Sequence, residues 1–422
     1  ITMKIFKNIA SSNLESKPFL LLYQKQNSEY VGIRKIWIDS EENPTTLYID
    51  SLTPDTTYYY TFLVSNDGTI LENFISNFRG LNHKEYSFKT FGKPFQPYSF
   101  NFSAASCAQS SSNHDVFRVI AEKNPQFFIH LGDFHYDDIT ENNTNAFYTA
   151  YYKSFLSNTQ RELYTNVPIT YVWDDHDYGG NDCEGDSITR DAATEAYKKF
   201  VPHYLTQHPY PLLSNRFEQL STLNESSLLR KVFNRTLQRK TNSYGIYHSF
   251  IVGRTFFIVM DETSYRILST HELLGSEQQV WLENQIYFAS RKKEIEVVFL
   301  VSPLSWNSWA FNKFEKSKYF ISDIVKKYLY PANKQVYMIS GDAHMIGFDD
   351  GSNNDLAGFP TIQAGSLDSR PNCKGGPYSH GFFPGRGQYA FIQVEDDGEK
   401  VCLKINLNRM NETLIYYDTC NK

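Results

Sequence analysis

A chain of 422 residues is long enough to bury a full-sized core, either in two domains or in one large α/β domain with a smaller module. Its net charge of −6, with no block of Lys or Arg, argues against a nucleic-acid partner held by counterion release. The longest apolar runs, such as Thr255–Asp261 and Val297–Ser302, fall well short of the roughly 20 residues that would span a bilayer, so no transmembrane segment is expected.

From Pro18 to about Thr90 short alternating segments are split by turn signals: FLLLYQ, EYVGIRKIWI, TTLYIDSL, TTYYYTFLVS and EYSFKTF. This pattern predicts antiparallel β-strands. The run SLTPDTTYYYTFLV and the exit SFKTFGKP resemble the end of a fibronectin type III-like sandwich, which sets residues 1–92 apart as a β-sandwich domain with a packing or positioning role. Past Gly92-Lys93-Pro94 apolar strands alternate with helical stretches: YSFNFSAAS, DVFRVIAEKN, FFIHLGD, VPITYVWDD, TFFIVMD, SEQQVWLENQI, EVVFLVS and QVYMISGD. The alternation predicts an α/β sandwich with a largely buried central sheet over residues 93–422. The helix that begins at Ser276 carries a Ser-x-x-Gln capping box with Gln279, and Leu282, Ile286 and Ala289 share its apolar face.

Several of these strands end on a carboxylate: Asp133, Asp174 with Asp175, Asp261 and Asp342. Ligands of open α/β sheets bind outside the carboxyl ends of the strands, so four such ends are expected to converge on one rim. A lone Asp after a strand is usually a turn former or helix cap. Here His135, His176 and His344 lie within two residues of three of these positions, and clustered carboxylate and imidazole suit a hard to borderline cation.

The segments SAASCAQ, FFIHLGDFHYDD, WDDHDYGGND, FIVMDETSYR, LGSEQQVWLENQ and ISGDAH, in that order, resemble the PhoD-like alkaline phosphatases, a branch of the metallophosphoesterases related to purple acid phosphatases. The resemblance implies a metallophosphoesterase-type α/β sandwich that hydrolyses phosphate esters, a hydroxide made from water at two metals attacking phosphorus in line. It assigns Asp133 as the bridge between the metals and Tyr136 as a phenolate ligand of iron. Cys107 stands as a thiolate ligand, with Asp175, Asn181, Asp342 and His344 completing the set. Iron(III) with calcium is implied, while the ligand types also admit zinc, manganese or magnesium. His176 becomes the candidate for protonating the leaving oxygen, with Asp174 to orient it. Arg370 and Arg266 become candidates for gripping phosphoryl oxygens, with His380 and Asn307 as pocket lining and His135 either behind them or in the pocket wall. Phosphodiesterase or phospholipase-like activity of the same site is the runner-up, and an inactive binding protein a more distant reading.

Two features point to a secreted protein or one of the secretory-pathway lumen. Five Asn-x-Ser/Thr sequons, at Asn101, Asn142, Asn224, Asn234 and Asn411, lead us to expect N-glycans. Of five cysteines, Cys107 is taken by the resemblance as a ligand, and the pairings 402–420, across a C-terminal hairpin, and 183–373, between two Gly-rich loops, are expected over the alternatives.

Overall fold

The computed structural model describes residues 2–6, 17–27, 29–38, 42–65, 84–203 and 245–421. In the N-terminal part, strand β1 (Thr2–Ile5) pairs antiparallel with β4 (Thr45–Tyr48). Strands β2 (Lys17–Gln26), β3 (Glu29–Trp37), β5 (Thr57–Ser65) and β6 (Tyr86–Lys89) form a second antiparallel sheet in the order β3-β2-β5-β6. Alternation decides the packing: Leu20, Leu22, Tyr58, Tyr60 and Phe88 of the larger sheet bury against Ile5 and Leu47 of the smaller one.

Two larger sheets follow. One has six strands in the order β19-β18-β17-β7-β8-β9. Its members are β7 (Phe100–Ala105), β8 (Phe128–His130), β9 (Ile169–Tyr171), β17 (Gln388–Asp396), β18 (Val401–Arg409) and β19 (Glu412–Asp418). The other has seven strands in the order β10-β11-β12-β13-β15-β14-β16, built from β10 (His248–Val252), β11 (Thr255–Val259), β12 (Val297–Ser302), β13 (Gln335–Ser340), β14 (Met345–Asp349), β15 (Thr361–Gln363) and β16 (Phe382–Pro384). The central strands β7-β8-β9 and β11-β12-β13 run parallel within their sheets, as strands buried on both faces do.

The sheets face each other across an aromatic core. Phe102 lies edge-on to Phe257 and Phe299, with ring centroids 5.2 and 5.4 Å apart. Helices Gly275–Arg291 and Glu315–Ile324 cover the outer face of the seven-stranded sheet. Helices Val116–Glu122 and Asn158–Asn166 cover the other sheet, and Thr144–Leu156 and Arg190–Phe200 close over Tyr171 and Trp173 beyond it. The result is the expected α/β sandwich preceded by antiparallel sheets. No helix among the described residues is long and apolar enough to cross a membrane.

Three local expectations meet different outcomes. The disulfide Cys402–Cys420 is formed, tying β18 to the chain just past β19. The expected 183–373 bridge is not: Cys183 is half-buried with its thiol donating to the carbonyl of Asp175 at 3.2 Å, whereas Cys373 is exposed. The helix expected to start on a Ser276–Gln279 capping box instead begins at Gly275, with Leu274 as its N-cap and no side-chain cap bond. Leu282, Ile286 and Ala289 are buried as the spacing predicts. Among the sequons, Asn142 and Asn411 are exposed and Asn101 is half-buried, while Asn224 and Asn234 lie outside the described residues.

Candidate active site

The carboxyl ends of β7, β8 and β9 in one sheet meet that of β13 in the other, and each delivers part of one cluster. Two glycines permit the approach. At Gly132, with φ +92, a Cβ would lie 2.6 Å from the Cβ of Asp174, so the ends of β8 and β9 close up only around glycine. At Gly341 a Cβ would sit 2.6 Å from the carbonyl oxygen of Leu131, where the second sheet comes up against the first. Beyond these points Cys107, Asp133, Asp342 and His344 all take left-handed backbone, at φ 64, 55, 63 and 52. Each such non-glycine residue costs on the order of 1 kcal/mol or more, and strain of this kind gathers where side chains must be aimed.

The aimed side chains meet. The Cys107 thiol lies 3.5 Å from Asp133 Oδ2, and the Tyr136 hydroxyl donates to the same oxygen at 2.6 Å. Tyr136 is also 3.0 Å from His344 Nε2. Two groups of metal-ligating atoms each fall within 4.8 Å: Cys107, Asp133 and His344 in one, Asp133, Asp175 and His176 in the other. Asp133 belongs to both. Surrounding groups fix the orientations: His344 Nδ1 is 2.7 Å from the carbonyl of Arg370, and Asp175 Oδ2 accepts the N–H of Asp182 at 2.6 Å. His176 Nδ1 is 2.5 Å from Asp138 Oδ1, and its ring lies 4.1 Å from that of Tyr136.

Crowded acids raise the electrostatic cost of the cluster. Burial, and the neighbouring Asp175 and Asp342 against the relief of His176, push the Asp133 carboxyl up to about 6. Burial and the charge of Asp133 drive the Cys107 thiol and the Tyr136 phenol well above their ordinary values. Asp175 sits below the usual carboxylate range because Arg266, His176 and the Asp182 N–H outweigh its burial. His176 is raised: burial lowers it, but Asp133, Asp175 and Asp138 outweigh that. Two buried carboxylate oxygens, Asp133 Oδ1 and Asp342 Oδ2, have no hydrogen-bond partner among the described residues. Buried polar atoms are normally satisfied, and orphaned oxygens beside thiol, phenol and imidazole make a donor set that fits metal ions.

Other expected residues fall elsewhere. Asn181 is exposed and donates to Asp182 Oδ2 at 2.8 Å, reaching the cluster only through the Asp182 N–H. Arg370 is exposed and meets the cluster through its carbonyl. Arg266 is not a rim residue: it is buried, bonded to the carbonyl of Cys183 at 2.6 and 3.2 Å and 3.6 Å from Asp174. Asp174 therefore serves Arg266 and Thr263, and Asp138 is the partner of His176. Asp261 does not join the rim, because its oxygens take the indole N–H of Trp173 at 2.9 Å and the N–H groups of Thr263, Ser264 and Ile246. Asn307 bonds Thr361 at 3.0 Å, and His380 lies 3.4 Å from Asp350. His135 is fully buried against Phe147 and Tyr151.

Three contributors were missed from sequence. Asp138 could have been found as the second Asp of YDD. Asp177 accepts the N–H groups of Phe134, His135 and Asp174, holding the β8 and β9 exits together. Lys374 reaches Asp342 Oδ1 at 2.8 Å from a loop 32 residues away.

The sandwich and the acidic cluster at its strand ends define a fold of the PhoD-like metallophosphoesterase kind. A solved structure of PhoD superposes with a TM-score of 0.63 at 16% identity, covering 96% of this chain and 85% of that one. Purple acid phosphatase PPD1 from seeds of yellow lupin (Lupinus luteus) gives a TM-score of 0.57 at 11% identity, covering 99% of this chain and 70% of its own. No protein-family model matches the chain, and no curated protein matches it in sequence.

Proposed function

We propose that the protein is a metal-dependent phosphoric ester hydrolase, in particular a phosphomonoesterase of the alkaline phosphatase D kind. The observation that carries the reading is Asp133, shared by two groups of ligand atoms and left with an orphaned buried oxygen. Bound metals would supply charge neutralisation at the phosphoryl group and acidify water.

Cys107, Tyr136 and His344 are the residues that would hold iron(III) beside Asp133, since thiolate, phenolate and imidazole donors suit it. Asp175 and Asp342 offer the oxygen-rich side that suits calcium, and Asn181 would join them only by turning away from Asp182. His176, held through Nδ1 by Asp138, keeps Nε2 free to deliver a proton to the leaving oxygen. Its place in the group with Asp133 and Asp175 supports a second reading, in which Nε2 is itself a ligand. Arg370, anchored to His344 through its carbonyl, offers an exposed guanidinium for the phosphoryl oxygens. The disulfide and the exposed sequons support a secreted or lumenal protein carrying N-glycans.

Elemental analysis of purified active protein, together with its visible spectrum, tests the reading. The expected result is iron with a tyrosinate charge-transfer band that disappears in Tyr136→Phe. Two zinc or manganese ions without iron would remove the roles given to Tyr136 and Cys107. Protein that binds no metal would overturn the hydrolase itself.

A further inference from the structure

We infer that Lys374 makes the site select phosphomonoester dianions over phosphodiester monoanions. The inference rests on the hydrolase reading above.

Two basic side chains answer the acids of the cluster, and they are placed differently. Arg266 is spent on structure, its side chain 8% exposed, bonded to the Cys183 carbonyl and flanked by Asp174 and Asp175. Lys374 is 26% exposed, and the one bond its ammonium makes among the described residues, to Asp342 Oδ1 at 2.8 Å, uses one of three N–H donors. Its charge is also felt by Asp133 and Asp175, the two acids that share the cluster with Asp342.

The loop that carries Lys374 is held on both sides. The Asn372 N–H donates to the carbonyl of His344 at 3.3 Å, and the Gly376 N–H to the carbonyl of Asn307 at 2.9 Å. Between them Gly375, at φ +91, passes so close that a Cβ would lie 2.5 Å from the Asn307 oxygen. Backbone contacts, not a chance rotamer, thus bring the lysine to the cluster.

Asp342 fits a metal ligand, through an oxygen that no described residue satisfies. A cation that engages Asp342 shares the charge that now holds Lys374, and leaves ammonium donors facing the site. A phosphomonoester carries close to two negative charges near neutral pH, because its second pKa is about 6, whereas a diester carries one. A compact point charge responds to that added charge and to the third terminal oxygen.

The test compares wild type, Lys374→Met and Lys374→Arg on an aryl phosphate and on the matching aryl phosphodiester. Metal content and inorganic phosphate affinity of the metal-loaded proteins, by calorimetry, give readouts independent of turnover. Lys374→Met is expected to keep its metals and to lose about 10- to 100-fold in phosphate affinity and in monoester kcat/KM, the worth of a charged hydrogen bond. Diester kcat/KM should change less than about threefold, and Lys374→Arg should recover most of the loss. Equal loss on both esters, or unchanged phosphate affinity, overturns the inference. So does loss of metal from the variant, which would make Lys374 a support of the ligand set. Wild-type protein without metal, or inert to both esters, sinks the hydrolase reading itself and this inference with it. Lys374→Gln carries the same expectations if the Met variant is insoluble.

Discussion

Asp133 and Asp261 both follow a buried strand of this sandwich, and the protein treats them in opposite ways. Asp261 receives donors on both oxygens: Trp173, Thr263 and Ser264 on Oδ1, Ile246 and Ser264 on Oδ2. Asp133 is equally buried, sits in left-handed backbone, and keeps Oδ1 without a partner among the described residues while only the Tyr136 hydroxyl and the Cys107 thiol meet its other oxygen. A carboxylate whose lone pairs are filled by N–H groups is an anchor for the chain. One whose lone pairs are starved is free energy stored for a ligand, because an unsatisfied buried acceptor costs about 1–3 kcal/mol.

The largest effect should come from breaking that contrast at Asp133. Asp133→Asn removes the shared charge, so both metals should be lost and hydrolysis should fall roughly 10³-fold or more, beyond the loss of a single oxyanion donor. Thermal stability of the metal-free variant should stay equal to wild type or rise, since a crowded buried carboxylate has gone. Elemental analysis and a melting curve check both halves. Next, His176→Ala should cut kcat about 10²- to 10⁴-fold on esters with poor leaving groups while both metals remain. Loss of one metal would instead move His176 into the ligand set. Asp261→Ala should do the reverse of Asp133→Asn: it strands several buried donors and should cost about 2–4 kcal/mol in denaturant unfolding, with metal content per folded molecule unchanged. If Asp261→Ala instead loses metal at full stability, the division between anchor and ligand acids is wrong.

How much of this could be read from the sequence follows from the range of the interactions involved. Strands such as Thr255–Val259 and Val297–Ser302 are legible because burial on both faces forces continuous apolar runs. Asp133, Tyr136, Asp342 and His344 are legible because they sit at fixed short spacings after such strands. Which acids are starved is not legible. Asp261 is satisfied by Trp173, 88 residues away, and Asp342 meets Lys374 across 32 residues. Arg266 turns inward because Asp174 and the Cys183 carbonyl wait there, brought within reach where Gly185 packs against the backbone of Ser264 and Tyr265. The Ser276–Gln279 box does not form, whereas the neighbouring Gln278, which carries no local signal, accepts the N–H of Asp261 at 2.8 Å and donates to its carbonyl at 2.6 Å. Local signals lose wherever a tertiary partner offers a better bond.

The smallest effect sharpens the comparison on a third acid. Glu262, next to Asp261, is fully buried, with Oε2 accepting from Ser302 at 2.7 Å and from the Leu304 N–H at 3.2 Å, and Oε1 without a partner among the described residues. Being half satisfied, it solves the problem by staying protonated: burial pushes its carboxyl up to about 8, against the pull of Ser302 and Leu304. The folded value lies above the unfolded value of about 4.5, so the native state holds a proton that the unfolded chain has released between those pH values. Its contribution is complete below about 4.5 and is lost as pH rises through about 8. Glu262→Gln keeps an acceptor for Ser302 and Leu304 but has no proton to lose. Its stability relative to wild type should therefore climb between pH 5 and 8 and level off above, by about 1 kcal/mol or more in urea titrations. On the acid side the buried, neutral His130 and His135, lowered by burial to about 3 and 4, make stability fall as pH drops below the unfolded value of 6.5. That limb should be the same in both proteins, so a difference that opens only above about pH 4.5 and is complete near pH 8 assigns the effect to Glu262 alone. A constant offset at every pH would mean that Glu262 is ionised in the folded protein, a starved acid like Asp133 and no longer a neutral one.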